Sequence, residues 1–231
     1  LMAADLDGDG WLDLVLPGYN NSKINVLLNQ RNGRFGAPML YPAGNRPDGI
    51  AVADFNNDGY LDIFICRGGW QAQEDNYPPN SLLKNNGDGT FTDVTIESNT
   101  LLFAPTYAAA WGDYDNDGDK DLMVTNGFYR DLGNLDYINY QARLHNPMGN
   151  AAAKKEEKLK AIHALRKIPL SDYLFENNGD LTFRKRSAEW GFTRPGFSNG
   201  ACYADLDNDG DLDLAINQFS SEATVYQNRS D

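Results

Sequence analysis

"DLDGDGWLD", Asp5 to Asp13, sets four aspartates within nine residues and runs straight into "LVLP" (Leu14–Pro17), an apolar segment. Carboxylates this close repel one another, and no Lys or Arg lies among them. The pattern D-x-[DN]-x-D-G-x-x-D then returns three times: "DFNNDGYLD" (Asp54–Asp62), "DYDNDGDKD" (Asp113–Asp121) and "DLDNDGDLD" (Asp205–Asp213). Each copy follows a small-residue and apolar segment ("MAA", "GIAVA", "YAAAWG", "GACYA") and precedes a second run ("LVLP", "IFIC", "LMVT", "LAIN"). A later element, N-x-(G)-x-x-F, appears as "NQRNGRFG", "NNGDGTFTD" and "NNGDLTFRK". A recurring unit of this size marks a repeat architecture.

Calcium accounts for the acids. Ca²⁺ takes six to eight oxygen ligands in a flexible loop, and side chains at positions 1, 3 and 5 converge on one point if the chain turns sharply. Glycine at position 6 supplies that turn, because it reaches left-handed conformations at little cost. Position 7 offers a backbone carbonyl and position 9 a carboxylate. The first site is then Asp5, Asp7, Asp9, Trp11 and Asp13; the second is Asp54, Asn56, Asp58, Tyr60 and Asp62. The third is Asp113, Asp115, Asp117, Asp119 and Asp121, and the fourth Asp205, Asp207, Asp209, Asp211 and Asp213. Position 7 varies freely, as a carbonyl ligand permits. Mg²⁺ fits less well, since it demands octahedral geometry and keeps its waters. A set of plain Asp/Gly turns is the competing reading, and four copies with acids held at positions 1, 5 and 9 argue against it. The expectation is up to four Ca²⁺.

An EF-hand is excluded, because that loop needs a bidentate Glu at position 12 and flanking helices. Position 12 here is Leu16, Ile65, Val124 or Ile216. The flanking runs are short, rich in Val, Ile, Leu and aromatics, and bounded by Gly, Asn and Pro, which reads as strands. Each acidic loop therefore joins two strands, and its ninth residue begins the second. In the second unit strands are expected near 48–53, 60–66, 80–85 and 90–96. Four short strands per repeat is the blade pattern of a β-propeller. The fold expected is all-β, with blades at about 1–45, 46–104, 105–196 and 197–231, the last incomplete, and one insertion at 128–170. An open arc leaves apolar faces at its ends, so a larger ring is expected; a closed four-bladed ring is the alternative.

The repeat resembles the FG-GAP (VCBS) repeat, the calcium-binding blade of integrin α-like propellers and many bacterial surface proteins. "RFGAP" (Arg34–Pro38) carries the FG and GAP letters. More narrowly, "NLDYINY" (Asn134–Tyr140), "YLFENNGDLTF" and "EWGFTRPGFSNGACYADLDNDGDLDLAIN" resemble secreted bacterial proteins similar to cartilage acidic protein, which usually end in an ASPIC/UnbV domain; no such domain follows here. The resemblance implies a seven-bladed ring outside the cytoplasm, with further blades of the same chain.

Composition agrees. Net charge is −13, and 17 of the 33 acidic residues lie inside the four motifs, so four bound Ca²⁺ would leave −5. Such acidity repels nucleic acid, which is held by Lys and Arg on phosphates. No apolar run reaches membrane-span length, and no signal peptide is visible. Cys66 and Cys202, in different strands, are expected as small buried thiols rather than a disulfide.

The insertion is the most individual part. "NAAAKKEEKLKAIHALRKIP" (Asn150–Pro169) reads as a helix over about 151–168, capped by Asn150 and ended by Pro169. Leu159, Ile162, Leu165 and Ile168 form a stripe. With Lys154, Lys155, Lys158, Lys160, Arg166 and Lys167 it is the one basic region. It is expected as a surface helix laid over a propeller face with its charges solvated, the alternative being a lid near the ligand face. Just before it, Tyr129, Arg130, Asp136, Tyr137 and Tyr140 offer aromatics and polar groups for stacking on a sugar, against a packing role. Only His145 and His163 are present, with no G-x-S-x-G, H-E-x-x-H or phosphate loop. The function expected is a non-enzymatic, secreted or cell-surface calcium-binding module for adhesion or for a protein or glycan ligand. Part of a polysaccharide lyase is the alternative, by analogy.

Overall fold

The computed structural model describes residues 1–18, 22–43, 47–67, 79–130, 139 and 151–229. The first sheet is an antiparallel meander of β1 (Met2–Ala4), β2 (Asp13–Gly18), β3 (Lys23–Leu27) and β4 (Met39–Pro42). The second repeats it with β5 (Pro47–Ala53), β6 (Asp62–Arg67), β7 (Ser81–Asn85) and β8 (Phe91–Asp93). The third holds β9 (Ala109–Gly112), β10 (Asp121–Val124), β11 (Tyr173–Asn177) and β12 (Phe183–Lys185). The fourth has three strands, β13 (Ser198–Ala204), β14 (Asp213–Gln218) and β15 (Thr224–Tyr226). These are the blades of a β-propeller. All four strands expected in the second unit are present, and β8 stops at Asp93, where the Asp93 carboxylate accepts from the Thr95 N–H and hydroxyl and starts a turn.

Strand period two explains how neighbouring blades pack. The first and third residues after the ninth motif position face the preceding blade, and the second faces the following one. Ile63 and Ile65 of β6 join Val15, Ile24 and Val26 in the first core. Phe64, between them, joins Leu122, Val124 and Phe175 in the second. Met123 joins Leu214 and Ile216 in the third. Strand β6 is thus buried on both faces, which is why its run "IFIC" shows no polar alternation. Each fully buried Phe64 or Ile63 contributes about 1.5–3 kcal/mol. Among the described residues the core clusters join the first sheet to the second, the second to the third and the third to the fourth, and none joins the fourth to the first.

Two expectations change. Cys66 is buried in the second core, but Cys202 is exposed on the outer side of the fourth sheet; no disulfide joins them. The insertion helix α1 spans Ala151–Ala164 and ends short of Pro169. Arg130 satisfies the end: its Nη1 donates to the carbonyls of His163 (2.8 Å) and Leu165 (2.9 Å). Along the expected apolar stripe Leu159 is 46% exposed, while Ile162, Leu165 and Ile168 are half-buried. Asn150 and His145 lie outside the described residues.

Candidate metal centres

All four acidic loops project from one end of the blades, between the first and second strand of each. Their turn needs two left-handed residues. Glycine at position 6 has φ 85°, 90°, 95° and 103° (Gly10, Gly59, Gly118, Gly210). Position 4 also has positive φ: Gly8 71°, Asn57 55°, Asn116 61° and Asn208 61°. Gly and Asn are the residues that tolerate it, so this second hinge was visible in the motif.

The carboxylates organise the loop backbone. Asp5 accepts from the N–H groups of Asp9 (3.0 Å) and Gly10 (2.8 Å), and Asp54 likewise from Asp58 and Gly59. Position 5 accepts from the N–H of position 7 in each copy, at 2.8–3.0 Å. Carboxylate oxygens of Asp5, Asp7 and Asp13 lie within 4.8 Å of one another, as do those of Asp113, Asp115 and Asp121, and of Asp205, Asp207 and Asp209. In the second loop Asn56 takes the third position, and its Nδ2 donates to Asp58 (2.8 Å). Trp11, Tyr60, Asp119 and Asp211 sit at position 7, where the backbone is the group on offer.

Position 9 differs from the rest. Asp13, Asp62, Asp121 and Asp213 are essentially buried. One oxygen of each accepts from the N–H of position 2 (Leu6, Phe55, Tyr114, Leu206). The other accepts from the N–H of an asparagine at or just beyond the end of the third strand (Asn29, Asn85, Asn177, Asn228). These aspartates therefore brace the loop to the sheet, with a lone pair per oxygen remaining. Burial, then the nearby Asp58 and Asp54 charges, pushes Asp62 up to about 7; burial, then Asp115 and Asp117, does the same to Asp121.

The asparagines carry a second role. Asn85 Nδ2 donates to Leu6 O of the preceding blade (2.7 Å), Asn177 Nδ2 to Phe55 O (2.6 Å), and Asn228 Nδ2 to Tyr114 O. The second, third and fourth blades are thus each clasped to the loop of the blade before. The N-x-(G) element marked these positions in the sequence, though not their partner.

The donor set fits a hard cation. It is all oxygen and rich in carboxylate, and Asp113 Oδ1 is a buried acceptor with no hydrogen-bond partner. Basic side chains compete unequally: Arg31 Nε bonds Asp9 Oδ2 (2.8 Å) and Lys84 Nζ bonds Asp58 Oδ2 (2.9 Å). The Arg31 hydrogen bond holds Asp9 below the usual carboxylate range. Among the described residues the third and fourth loops have no such ion pair.

The sugar-stacking candidates lie at the opposite strand ends. Tyr129 packs edge-on against Phe197 (4.7 Å) and beside Phe219 (5.2 Å), while Arg130 caps α1. Asp136, Tyr137 and Tyr140 lie outside the described residues.

The FG-GAP-like repeat profile matches residues 5–65, 70–124 and 169–216. No curated protein matches the chain. Among solved structures, one of an Agrocybe aegerita lectin, described as specifically recognising non-reducing terminal N-acetylglucosamine, is similar at 19% identity and TM-score 0.49. The likeness covers 99% of this chain and 48% of that one, so the chain spans about half the length of that structure. Matched over more than half its length in three repeating stretches, each carrying an acidic loop between two strands, the chain belongs to the FG-GAP-like repeat family.

Proposed function

We propose that this protein is a calcium-binding β-propeller module that works outside the cytoplasm in adhesion or in binding a protein or glycan ligand. The observation that carries the reading is the convergence of three carboxylates in each of three loops, one with a buried, unpartnered oxygen at Asp113. Bringing such groups together costs repulsion and desolvation that a divalent ion offsets. The third loop would hold the ion through Asp113, Asp115, Asp117, the Asp119 carbonyl and Asp121, and the other loops through the equivalent positions. Bound calcium would supply charge neutralisation at the loops, leaving the blade faces and the opposite strand ends for ligand. Exposed, partly ion-paired loops suit the millimolar calcium of an extracellular setting, where modules bind at about 10⁻⁴–10⁻³ M.

Calorimetric titration of calcium into chelator-stripped protein tests this. Binding accompanied by a rise in melting temperature is expected. No heat and an unchanged melting temperature would defeat it.

A further inference from the structure

Neighbouring acidic loops touch through their fourth and seventh positions. Asn57, at position 4 of the second loop, donates from Nδ2 to Oδ1 of Asp119, at position 7 of the third (2.6 Å). Asn116, at position 4 of the third, donates in the same way to Oδ1 of Asp211, at position 7 of the fourth (2.7 Å). Between the first and second loops the same two positions hold Gly8 and Tyr60, and a Cβ on Gly8 would meet the Tyr60 ring at 3.9 Å. Glycine thus faces an aromatic ring, and asparagine faces a carboxylate. The seventh side chain, which reads in the sequence as free to vary, is matched to the loop before it.

Both ends of this bridge are tied to a metal site. Position 4 stands between the ligands at positions 3 and 5, and its left-handed backbone (φ 55° at Asn57, 61° at Asn116) sets where the amide reaches. Position 7 is the residue whose carbonyl is on offer to the ion. The other polar groups of Asp119 are already committed. Its N–H donates to Asp117 Oδ1 (2.8 Å), and its carboxylate takes the Asn57 amide while lying against Gly179, where a Cβ would meet Oδ2 at 2.5 Å. The Asp211 N–H donates likewise to Asp209 Oδ1 (3.0 Å). Neither Asp119 nor Asp211 is among the three carboxylates that converge in its own loop.

We propose that Asn57 and Asn116 are positioning residues through which calcium in one loop tightens its binding in the next. The proposal rests on the calcium reading and extends it to how the sites act on one another. An ion in the second loop fixes positions 3 and 5 and so holds the Asn57 amide against Asp119. The third loop then has less ordering to do around its own ion. Such coupling is reciprocal. The third loop, which has no ion pair among the described residues, therefore raises the affinity of the second, where Lys84 competes for Asp58. Repulsion between the two ions acts the other way and is screened over about 8 Å at physiological salt.

The test titrates calcium into the chelator-stripped full chain and follows the backbone amide resonances of Gly10, Gly59, Gly118 and Gly210, one for each loop. Emptying the second loop with Asp54→Asn and Asp58→Asn should weaken the third site, read at Gly118, by about two- to tenfold, the worth of one hydrogen bond. Asn57→Gly copies the first loop and keeps the left-handed turn. In that background the same emptying should weaken the third site by a factor at least about twofold smaller, because ion repulsion and loop charge are alike in both backgrounds. Emptying the third loop with Asp113→Asn and Asp117→Asn should weaken the second site, read at Gly59, by the same factor as the forward experiment. Gly10 should titrate in Asn57→Gly as it does in the parent. If emptying the second loop affects the third equally with asparagine and with glycine at position 57, the proposal is overturned, while the calcium shifts of the parent still uphold the calcium reading. If none of the four glycines of the parent responds to calcium, that reading fails and the proposal falls with it.

Discussion

Replacing Asn85 by alanine tests whether the asparagine clasp holds blades together. Asn85 is fully buried; its Nδ2 donates to Leu6 O at 2.7 Å and Leu61 O at 3.0 Å, and its Oδ1 accepts from the Gly87 N–H at 3.0 Å. Alanine keeps the backbone bond to Asp62 but strands two carbonyls and one N–H. A stranded buried group costs about 1–3 kcal/mol. Partial hydration at the loop mouth brings the sum to about 3 kcal/mol. For a domain of this size that lowers the melting temperature by about 6–12 °C, at about 2–4 °C per kcal/mol. Asn29 is the control, because it holds the same place in the first blade. Its side chain bonds only Leu12 O and the Arg31 N–H, both exposed, so Asn29→Ala should cost no more than about 1 kcal/mol. Urea unfolding of both variants at saturating calcium measures the difference. Equal losses, or a loss under about 1 kcal/mol for Asn85→Ala, would refute the clasp.

Chelation with EDTA should lower the melting temperature, since an ion binding only the folded state at 100 times its dissociation constant adds about 2.7 kcal/mol per site; differential scanning calorimetry reads this directly. The second loop should bind calcium most weakly, because Asn56 replaces a carboxylate and Lys84 already holds Asp58; Asn56→Asp should tighten it in calorimetric titration. Stability without calcium should fall as pH rises from about 4 to about 7. Asp62 and Asp121 hold their protons to about 7 in the folded state but to 3.8 unfolded, so the folded state binds more protons across that window. Chemical denaturation in EDTA at a series of pH values checks the sign, and calcium should flatten the trend.

The acidic motif was legible because it is local. Its turn glycines and all of its acids lie within nine residues, and the burial of the next run follows from period two. The repeat then set the blade count, and a family resemblance followed from the same residues. The rest depends on chain segments meeting across the fold. Asn85 reaches Leu6 over 79 residues, Asn177 reaches Phe55 over 122, and Asn228 reaches Tyr114 over 114. The sequence marked that asparagine as repeated, but an amide's partner depends on how blades stack. Likewise the end of α1 is capped by Arg130, 33 residues before the carbonyl it takes. Position 9 reads as one more ligand in the sequence, and only its burial adds that it also braces the loop to the sheet. A cavity lined by Arg194, Phe197, Gln218 and Tyr226 is built from the approach to β13 and the β14–β15 turn, which no local pattern joins. Short-range geometry is written in residue spacing; which surfaces enclose space is decided when the blades pack.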